Sequence, residues 1–116
     1  MQYLLLIYEN EAEATARGEA GMAAMMSEYR DFTQSIIQAG NFKAGDALQR
    51  TSAATTVRVR GGKTLTTDGP FAETREQLGG YYLIEAKDLD QAIAIAARVP
   101  SAKYGSIEVR PIMVYE

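Results

Sequence analysis

Residues 68–80 read DGPFAETREQLGG, and they lie between two patterns that favour β-strands. Upstream, residues 56–60 alternate between polar side chains and valine, and Gly61-Gly62 leads into a second arm over residues 63–67. Glycine accepts the positive φ angles of tight hairpin turns, so this stretch predicts a β-hairpin. Downstream, residues 81–85 (YYLIE) predict a further strand.

The rest of the chain predicts two more strands, two amphipathic helices and two loops. The first helix follows from apolar residues at helical spacing, and the second from Asp88 and Gln91 at capping-box positions. Pro100 ends the second helix, because the residue before proline is pushed out of the α region. The predicted segments are a strand over residues 2–8, a loop or frayed helix entry over 10–19, a helix from Met22 to near Gly40, a loop over 41–55, a helix from Asp88 to Val99 and a strand over 106–115.

The order of these elements is β-α-β-β-β-α-β. It predicts one α+β domain over residues 1–116, with an antiparallel sheet. The order is that of a ferredoxin-like split βαβ fold in which the middle strand is elaborated into an extra hairpin.

Composition excludes several kinds of chemistry. The chain of 116 residues has no Cys and no His, so catalysis by a Cys nucleophile, a thiolate zinc site or a histidine acid or base is ruled out. No phosphate loop, dinucleotide fingerprint or EF-hand spacing is present, so we predict no metal and no cofactor, with an oxygen-ligated metal as the open alternative. Any enzymatic activity is expected to be lyase-like or isomerase-like acid/base chemistry that uses carboxylates, tyrosine or cationic side chains.

Charge and hydropathy bear on partners and location. The net charge is −3 with no basic block, so direct binding of nucleic acid is not expected. The sequence contains no apolar run of about 18 residues, which predicts no membrane span. Its first residues lack the features of a signal peptide, and a cytoplasmic location is predicted.

The first strand is apolar on both sides, whereas two helices can cover only one face of a sheet. Its two rows are Tyr3, Leu5 and Ile7 on one side and Leu4, Leu6 and Tyr8 on the other. An exposed apolar row of that size usually marks an interface. We therefore predict a homodimer in which sheet packs on sheet.

The last strand adds two charges to that prediction. If Ile107 and Val109 meet the helices, Glu108 and Arg110 point to the dimer side. Charges there are costly unless the space is partly wet or holds a ligand, which suggests a polar cavity between the sheets. The alternative is a salt bridge on a solvated edge strand.

Three strings together resemble a known family. MQYLLLIYEN, TTDGPFAETREQLGGYYLIEA and YGSIEVRPIM are similar to the YCII-related, or DGPF-domain, family, and they span nearly the whole chain. The resemblance implies a dimeric α/β barrel, built from ferredoxin-like protomers whose sheets pair around a cavity. Relatives in that superfamily include isomerases, monooxygenases and peroxidases, and some family members are linked to extracytoplasmic-function sigma factors. A His–Asp pair suspected in another branch cannot apply to a chain without His.

Asp68 is the first candidate site residue. In a DGP turn it accepts backbone hydrogen bonds, while glycine allows positive φ and proline presets φ. The functional alternative is that Asp68 faces a pocket as a general base or ligand anchor. Glu108 is the second candidate for proton transfer.

Four other side chains are ligand-binding candidates besides Arg110. Glu73 and Arg75 belong either to a solvated loop or to a lid that carries Arg75 to an anionic group, with Gly79-Gly80 as the hinge. Tyr8 and Tyr81, together with the neighbouring Tyr82, either fill the core or line a cavity with phenolic donors.

Three functions follow from these alternatives. The first is an enzyme or binding protein for a small organic molecule, anionic or neutral, in a cavity between paired sheets. The second is a non-catalytic ligand-binding or regulatory module associated with sigma-factor-dependent transcription, which only the resemblance implies. The third is a structural dimer whose motif secures the fold.

Overall fold

The structure is a computed structural model that describes residues 1–115. Six strands, three α-helices and two short 3₁₀ turns occur within those residues. In chain order they are β1 (Gln2–Glu9), α1 (Glu11–Ala16), α2 (Gly18–Gln38), β2 (Phe42–Ala47), a 3₁₀ turn (Thr51–Ala53), β3 (Thr55–Arg60), β4 (Lys63–Asp68), β5 (Gln77–Glu85), α3 (Leu89–Ala97), a second 3₁₀ turn (Pro100–Lys103) and β6 (Ser106–Pro111).

Four of the strands form one antiparallel sheet in the order β2-β5-β1-β6. The apolar strand β1 lies between β5 and β6, where both of its edges are hydrogen-bonded. This order confirms the predicted ferredoxin-like α+β fold. The remaining strands, β3 and β4, pair only with each other.

The core lies between one face of the sheet and the helices. Leu5 and Ile84 are fully buried there, and Phe32 and Ile36 of α2 pack against them. The Phe32 and Tyr82 rings meet edge to face with centroids 5.3 Å apart, a favourable geometry for aromatic pairs. The two faces of the sheet therefore differ, and we call the face away from the helices the open face.

The open face carries the second apolar row of β1, as the sequence predicts. Leu4, Leu6 and Tyr8 alternate with the buried side chains and are only half-buried. Leu83 of β5 is paired with Leu4 and is also half-buried. One chain thus leaves an apolar surface without a covering helix.

The prediction of a loop over residues 41–55 is wrong, because β2 occupies residues 42–47. Gly45 in the Gly45-Asp46 pair suggested a break, yet it lies within the strand. A Cβ atom at Gly45 would lie 2.7 Å from Cδ1 of Tyr82. The glycine leaves room for the buried ring of Tyr82, which explains a glycine in the interior of this strand.

Residues 10–19, predicted as a loop or a frayed helix entry, instead contain α1 and the start of α2. Asn10 caps α1, and its Oδ1 accepts a hydrogen bond of 2.9 Å from the Glu13 amide. Gly18, at φ +75°, then begins α2. Helix α1 buries none of its residues, so it has no apolar stripe by which the sequence could reveal it.

The hairpin is confirmed, but it does not elaborate a strand of the main sheet as predicted. Gly61 and Gly62 have φ angles of +57° and +76°, as a primed turn requires. Both arms, β3 and β4, lie outside the four-stranded sheet, and every residue of β4 is exposed. The missed strand β2 takes the sheet position that the prediction gave to the hairpin.

The remaining elements are present as predicted, but some of their ends differ by four residues, as in β5, which begins at Gln77 and not at Tyr81. Asp88 caps α3 by accepting a 2.8 Å hydrogen bond from the Gln91 amide. Strand β6 ends at Pro111 and not at Tyr115. The two outer strands are irregular: the register of β2 shifts between Phe42 and Ala44, and β6 ends in a proline, which has no amide hydrogen.

Candidate functional site

Four of the predicted site residues lie on the open face. Glu108 is paired with Leu6, and Arg110 with Leu4, so both charged side chains point away from the helices as predicted. Tyr81 is also paired with Leu6, on the other side of β1. Tyr8 completes the set further along β1.

The charges on the open face are paired within the chain. Arg110 Nε donates a hydrogen bond of 2.8 Å to Glu108 Oε2, and the two side chains form an ion pair. Tyr81 donates a 2.6 Å hydrogen bond from its hydroxyl to Asp46 Oδ2. That bond and the charge of Asp46 raise the pKa of Tyr81. Asp46 is a site residue that the sequence did not reveal, because residues 41–55 were predicted to be a loop.

Asp68 begins the DGP turn of residues 68–70. It is exposed and ends β4, and Gly69 follows with φ at +101°. The Gly69 amide donates a 2.7 Å hydrogen bond to the carbonyl of Ala54, and the Thr56 hydroxyl donates to the Gly69 carbonyl at 2.9 Å. Asp68 lies on the hairpin and not on the sheet that carries Glu108 and Arg110.

The rest of the motif borders two grooves. The larger, the motif groove, has a volume of about 890 Å³ and runs from Tyr8 and Leu78 on the sheet to Pro70 and Phe71. Glu73 lines a neighbouring groove of about 460 Å³.

The loop that carries Arg75 is fixed at its backbone. Asn10 Nδ2 donates a 2.9 Å hydrogen bond to the carbonyl of Arg75, while the Arg75 side chain is exposed. The structure therefore brings Tyr8, Tyr81, Glu108 and Arg110 to one face. It places Asp68, Glu73 and Arg75 on segments beside that face.

A different concave site lies on the helix side of the sheet. This tyrosine cavity has a volume of about 350 Å³, within the usual range for small-molecule pockets. Its lining residues are Ile7, Glu9, Met25, Tyr29, Thr33, Phe42, Gly45, Asp46, Ala47, Gly79, Gly80, Tyr81, Tyr82 and Ser101. The Gly79-Gly80 pair of the motif thus lines this cavity, and a Cβ atom at Gly80 would lie 2.9 Å from the Asp46 carbonyl oxygen of β2.

Two pairs of hydroxyl groups lie at the wall of the tyrosine cavity. The Tyr29 and Ser101 hydroxyls are 2.7 Å apart, and the Thr33 and Tyr82 hydroxyls are 2.6 Å apart. Burial raises the pKa of both tyrosines. Both therefore keep their protons at neutral pH, where they serve as hydrogen-bonding groups and not as bases.

Glu9 of β1 contributes a carboxylate to the wall of this cavity. Its side chain is 17% exposed and forms an ion pair with Arg17 at the junction of α1 and α2. The Arg17 guanidinium also lies over the ring of Tyr104, 4.2 Å from its centroid. The cavity lining contains no lysine or arginine.

The buried tyrosines predict a loss of stability in alkali. A tyrosine in the unfolded chain releases its proton near the ordinary pKa of 10.0, whereas Tyr29 and Tyr82 hold theirs to higher pH in the folded chain. The contribution of these two tyrosines to the free energy of unfolding should therefore be constant below about pH 10. Above that pH, the free energy of unfolding should fall as the pH rises. Urea denaturation from pH 8 to 11 measures this, and Tyr29→Phe should flatten the decline. The matched control is Tyr115→Phe at an exposed tyrosine, and an equal decline in both variants would contradict the assignment.

The tyrosine cavity is the main feature that the sequence did not reveal. Tyr29 looked like a helix residue facing the core, and Ser101 lay beyond the predicted helix end. The signal that could have found it is the small polar residue Thr33, which lies one turn from Tyr29 on the otherwise apolar face of α2. A hydroxyl in such a row needs a partner, and here the partner is Tyr82.

An antiparallel four-stranded sheet with helices on one face and a small cavity between the layers defines a ferredoxin-like α+β protein. The chain belongs to the YCII-related domain family, whose model matches residues 1–116. It is 36% identical over 118 residues to an uncharacterized protein of Rhizobium meliloti (strain 1021), and the match covers 100% of this chain and 95% of that protein. The predicted family is thereby confirmed.

One solved structure shares the fold. It is the 5-chloro-2-hydroxyhydroquinone dehydrochlorinase TftG of Burkholderia phenoliruptrix AC1100, in complex with 2,5-dihydroxybenzoquinone. The TM-score is 0.56 at 11% identity, over 97% of this chain and 94% of that chain.

Helix length and the spacing of acidic side chains bear on membranes and metals. Among residues 1–115, no helix is both long and apolar enough to cross a membrane. Over the same residues, acidic side chains do not gather in groups of three or more that could hold a metal ion.

Proposed function

We propose that the protein binds and transforms a small ring compound with hydroxyl or carbonyl groups in the tyrosine cavity. The observation that carries this proposal is the pair of hydroxyl couples, Tyr29 with Ser101 and Thr33 with Tyr82, at an otherwise mostly apolar wall. A flat ring fits apolar walls, and its oxygen atoms can exchange hydrogen bonds with the hydroxyls. The ligand of the structurally similar TftG, 2,5-dihydroxybenzoquinone, belongs to this class.

The charges around the cavity favour an uncharged ligand over an anionic one. No cationic side chain lines the cavity, and Arg17 is already paired with Glu9. If a proton is removed from the ligand, Glu9 is the group placed to accept it, with the tyrosine hydroxyls stabilising charge on a ring oxygen. This is acid/base chemistry of the lyase or isomerase kind, and it uses neither His nor Cys.

Binding of hydroquinone, which is uncharged at neutral pH, measured by isothermal titration calorimetry, tests this site. Replacing Tyr29 by Phe together with Thr33 by Val removes one hydroxyl from each couple with little change in shape. We expect the dissociation constant to rise by about threefold to tenfold for each lost hydrogen bond. Tyr115→Phe, at a tyrosine that is 87% exposed, is the control. Equal affinities in all three proteins, or no binding by any of them, would contradict the proposal.

The open face supports a second candidate site, the one predicted from the sequence. Its favouring observation is that Tyr8, Tyr81, Glu108 and Arg110 lie together on a surface with a half-buried apolar row. We propose that two copies pair through this face as a homodimer, which encloses those side chains in a barrel. An anionic ligand would bind there to Arg110 in exchange for Glu108.

The other predicted site residues remain candidates for this second site. Asp68, Glu73 and Arg75 lie on the hairpin and loop beside the open face, where a partner copy would bring further groups near them. An Arg110→Ala variant that remains dimeric but fails to bind an anionic probe such as benzoate would support the open face. Retained affinity in that variant would argue against it.

Two predictions rest on the sequence alone. The cytoplasmic location is one of them. The other is the regulatory alternative, a link to sigma-factor-dependent transcription, which only the family resemblance suggests. Pull-down of the tagged protein followed by mass spectrometry would test that link, and the absence of any sigma factor among the partners would count against it.

A further inference from the structure

Among residues 1–115, the β3–β4 hairpin pairs with no other strand and is almost fully exposed. Eleven of its twelve strand residues are exposed, and Val57 and Val59 each have 59% of their surface open to solvent. A two-stranded hairpin is at best marginally stable alone in water. The chain is also flat, with extents of 47 × 47 × 19 Å. Such a projection is costly to keep ordered unless another surface packs on it.

The two faces of the hairpin differ in chemistry. Cross-strand pairing places Val57 opposite Thr66 and Val59 opposite Thr64, so one face is uncharged along its outer part. The opposite face carries all the cationic side chains of the hairpin. These are Arg58, Arg60 and Lys63, with Leu65 between them.

The base of the hairpin adjoins the open face. The motif groove is lined by Tyr8 and Leu78 from the sheet and by Thr55 and Phe71 from the hairpin base and the loop that follows it. Phe71 is 74% exposed. A second copy that covers the open face therefore meets the hairpin at the same time.

We propose that the hairpin is an arm that grips a second copy of this chain and lays its uncharged face, with Val57 and Val59, on that copy. The proposal rests on the pairing of open faces proposed above. A typical stable interface uses about 20–30 residues on each side, whereas the paired strands place only about a dozen side chains on the open face. The arm adds two six-residue strands to that surface.

The charge of the arm suits this partner. Residues 55–68 contain three cationic side chains and one carboxylate, whereas the rest of the chain contains nine cationic and fourteen acidic side chains. A cationic arm on an acidic body is attracted to a second body of the same kind. Since the uncharged face packs, the cationic face stays hydrated at the rim, where charge costs little.

Sedimentation velocity over a dilution series tests the arm. The double variant Val57→Lys, Val59→Lys puts charge on the packing face and should raise the dimer dissociation constant by about tenfold or more. Leu65→Lys introduces one lysine on the opposite face of the same hairpin, and it should leave the constant unchanged. Equal effects of the two changes would overturn the proposal.

A third variant separates the arm from the pairing on which it rests. Leu6→Lys, at the centre of the open face, should dissociate the dimer whatever the hairpin does. If it does so while the double valine variant dimerises like the unmodified chain, the arm is refuted and the pairing stands. A monomeric unmodified chain at micromolar concentration would refute both.

The chain has no cysteine, so a single introduced one can be labelled without background. A spin label at Val59→Cys should be immobilised in the dimer and become mobile on dilution. A label at Leu65→Cys should be mobile at every concentration. Equal mobility of the two labels in the dimer would overturn the proposal even if the lysine variants failed to fold.

Discussion

Replacing Leu5 by alanine is expected to lower the free energy of unfolding by about 2–5 kcal/mol. Leu5 is fully buried at the centre of β1, between Tyr82 of β5 and Val109 of β6. The truncation removes apolar contacts and leaves a cavity, and the strands on both sides prevent the space from collapsing. Urea denaturation followed by circular dichroism gives the change directly.

Leu6 provides the matched control for Leu5. It is also a leucine and is the next residue in the same strand, but it lies on the open face and is only half-buried. Leu6→Ala should cost less folding stability, and its effect should depend on protein concentration if that face pairs with a second copy. A loss at Leu6 that equals the loss at Leu5 at every dilution would contradict the assignment of the two faces.

Replacing Gly105 by alanine is expected to destabilise the fold by about 3 kcal/mol. The reason is close backbone packing, because a Cβ atom there would lie 2.0 Å from the carbonyl oxygen of Tyr8 and 3.0 Å from Cα of Glu9. Neither atom belongs to a flexible side chain. Relief therefore requires β1 and the start of β6 to separate, which disturbs the sheet where Tyr8 is paired with Ser106.

Gly79→Ala is the control for that substitution. The nearest heavy atom to an added Cβ at Gly79 is the Ile7 carbonyl oxygen at 3.9 Å, an ordinary contact distance. The melting temperature should therefore fall steeply for Gly105→Ala and change little for Gly79→Ala. Similar melting temperatures in the two variants would show that the approach of residue 105 to β1 is not rigid.

The sequence predicts the fold well where apolar periodicity or a cap gives the signal. The two-sided apolar run in β1, the Gly61-Gly62 turn and the Asp88 cap all predict what the structure contains. The sequence does not predict strand β2, because Gly45 there reads as a break. The reason for this glycine is its contact with the ring of Tyr82, a residue 37 positions away in the chain. Helix α1 is also not predicted, because it buries no side chain.

One part of the candidate site, the open face, can be predicted from the sequence, and the other part, the tyrosine cavity, cannot. The alternation of β6 predicts that Glu108 and Arg110 face away from the helices, and the pairing with β1 places them there. The tyrosine cavity depends on which helix turn meets which strand, as in the contact of Thr33 with Tyr82. Sequence spacing alone does not contain that register.

The irregular outer strands also bear on how the protein behaves when concentrated. A sheet with free edges can grow by adding strands from other molecules, which leads to aggregation. Here one edge is interrupted by the shift between Phe42 and Ala44, and the other ends at Pro111. Shifts and prolines of this kind are common protections against edge-to-edge growth. They make the edges of the four-stranded sheet poorer templates for strand addition.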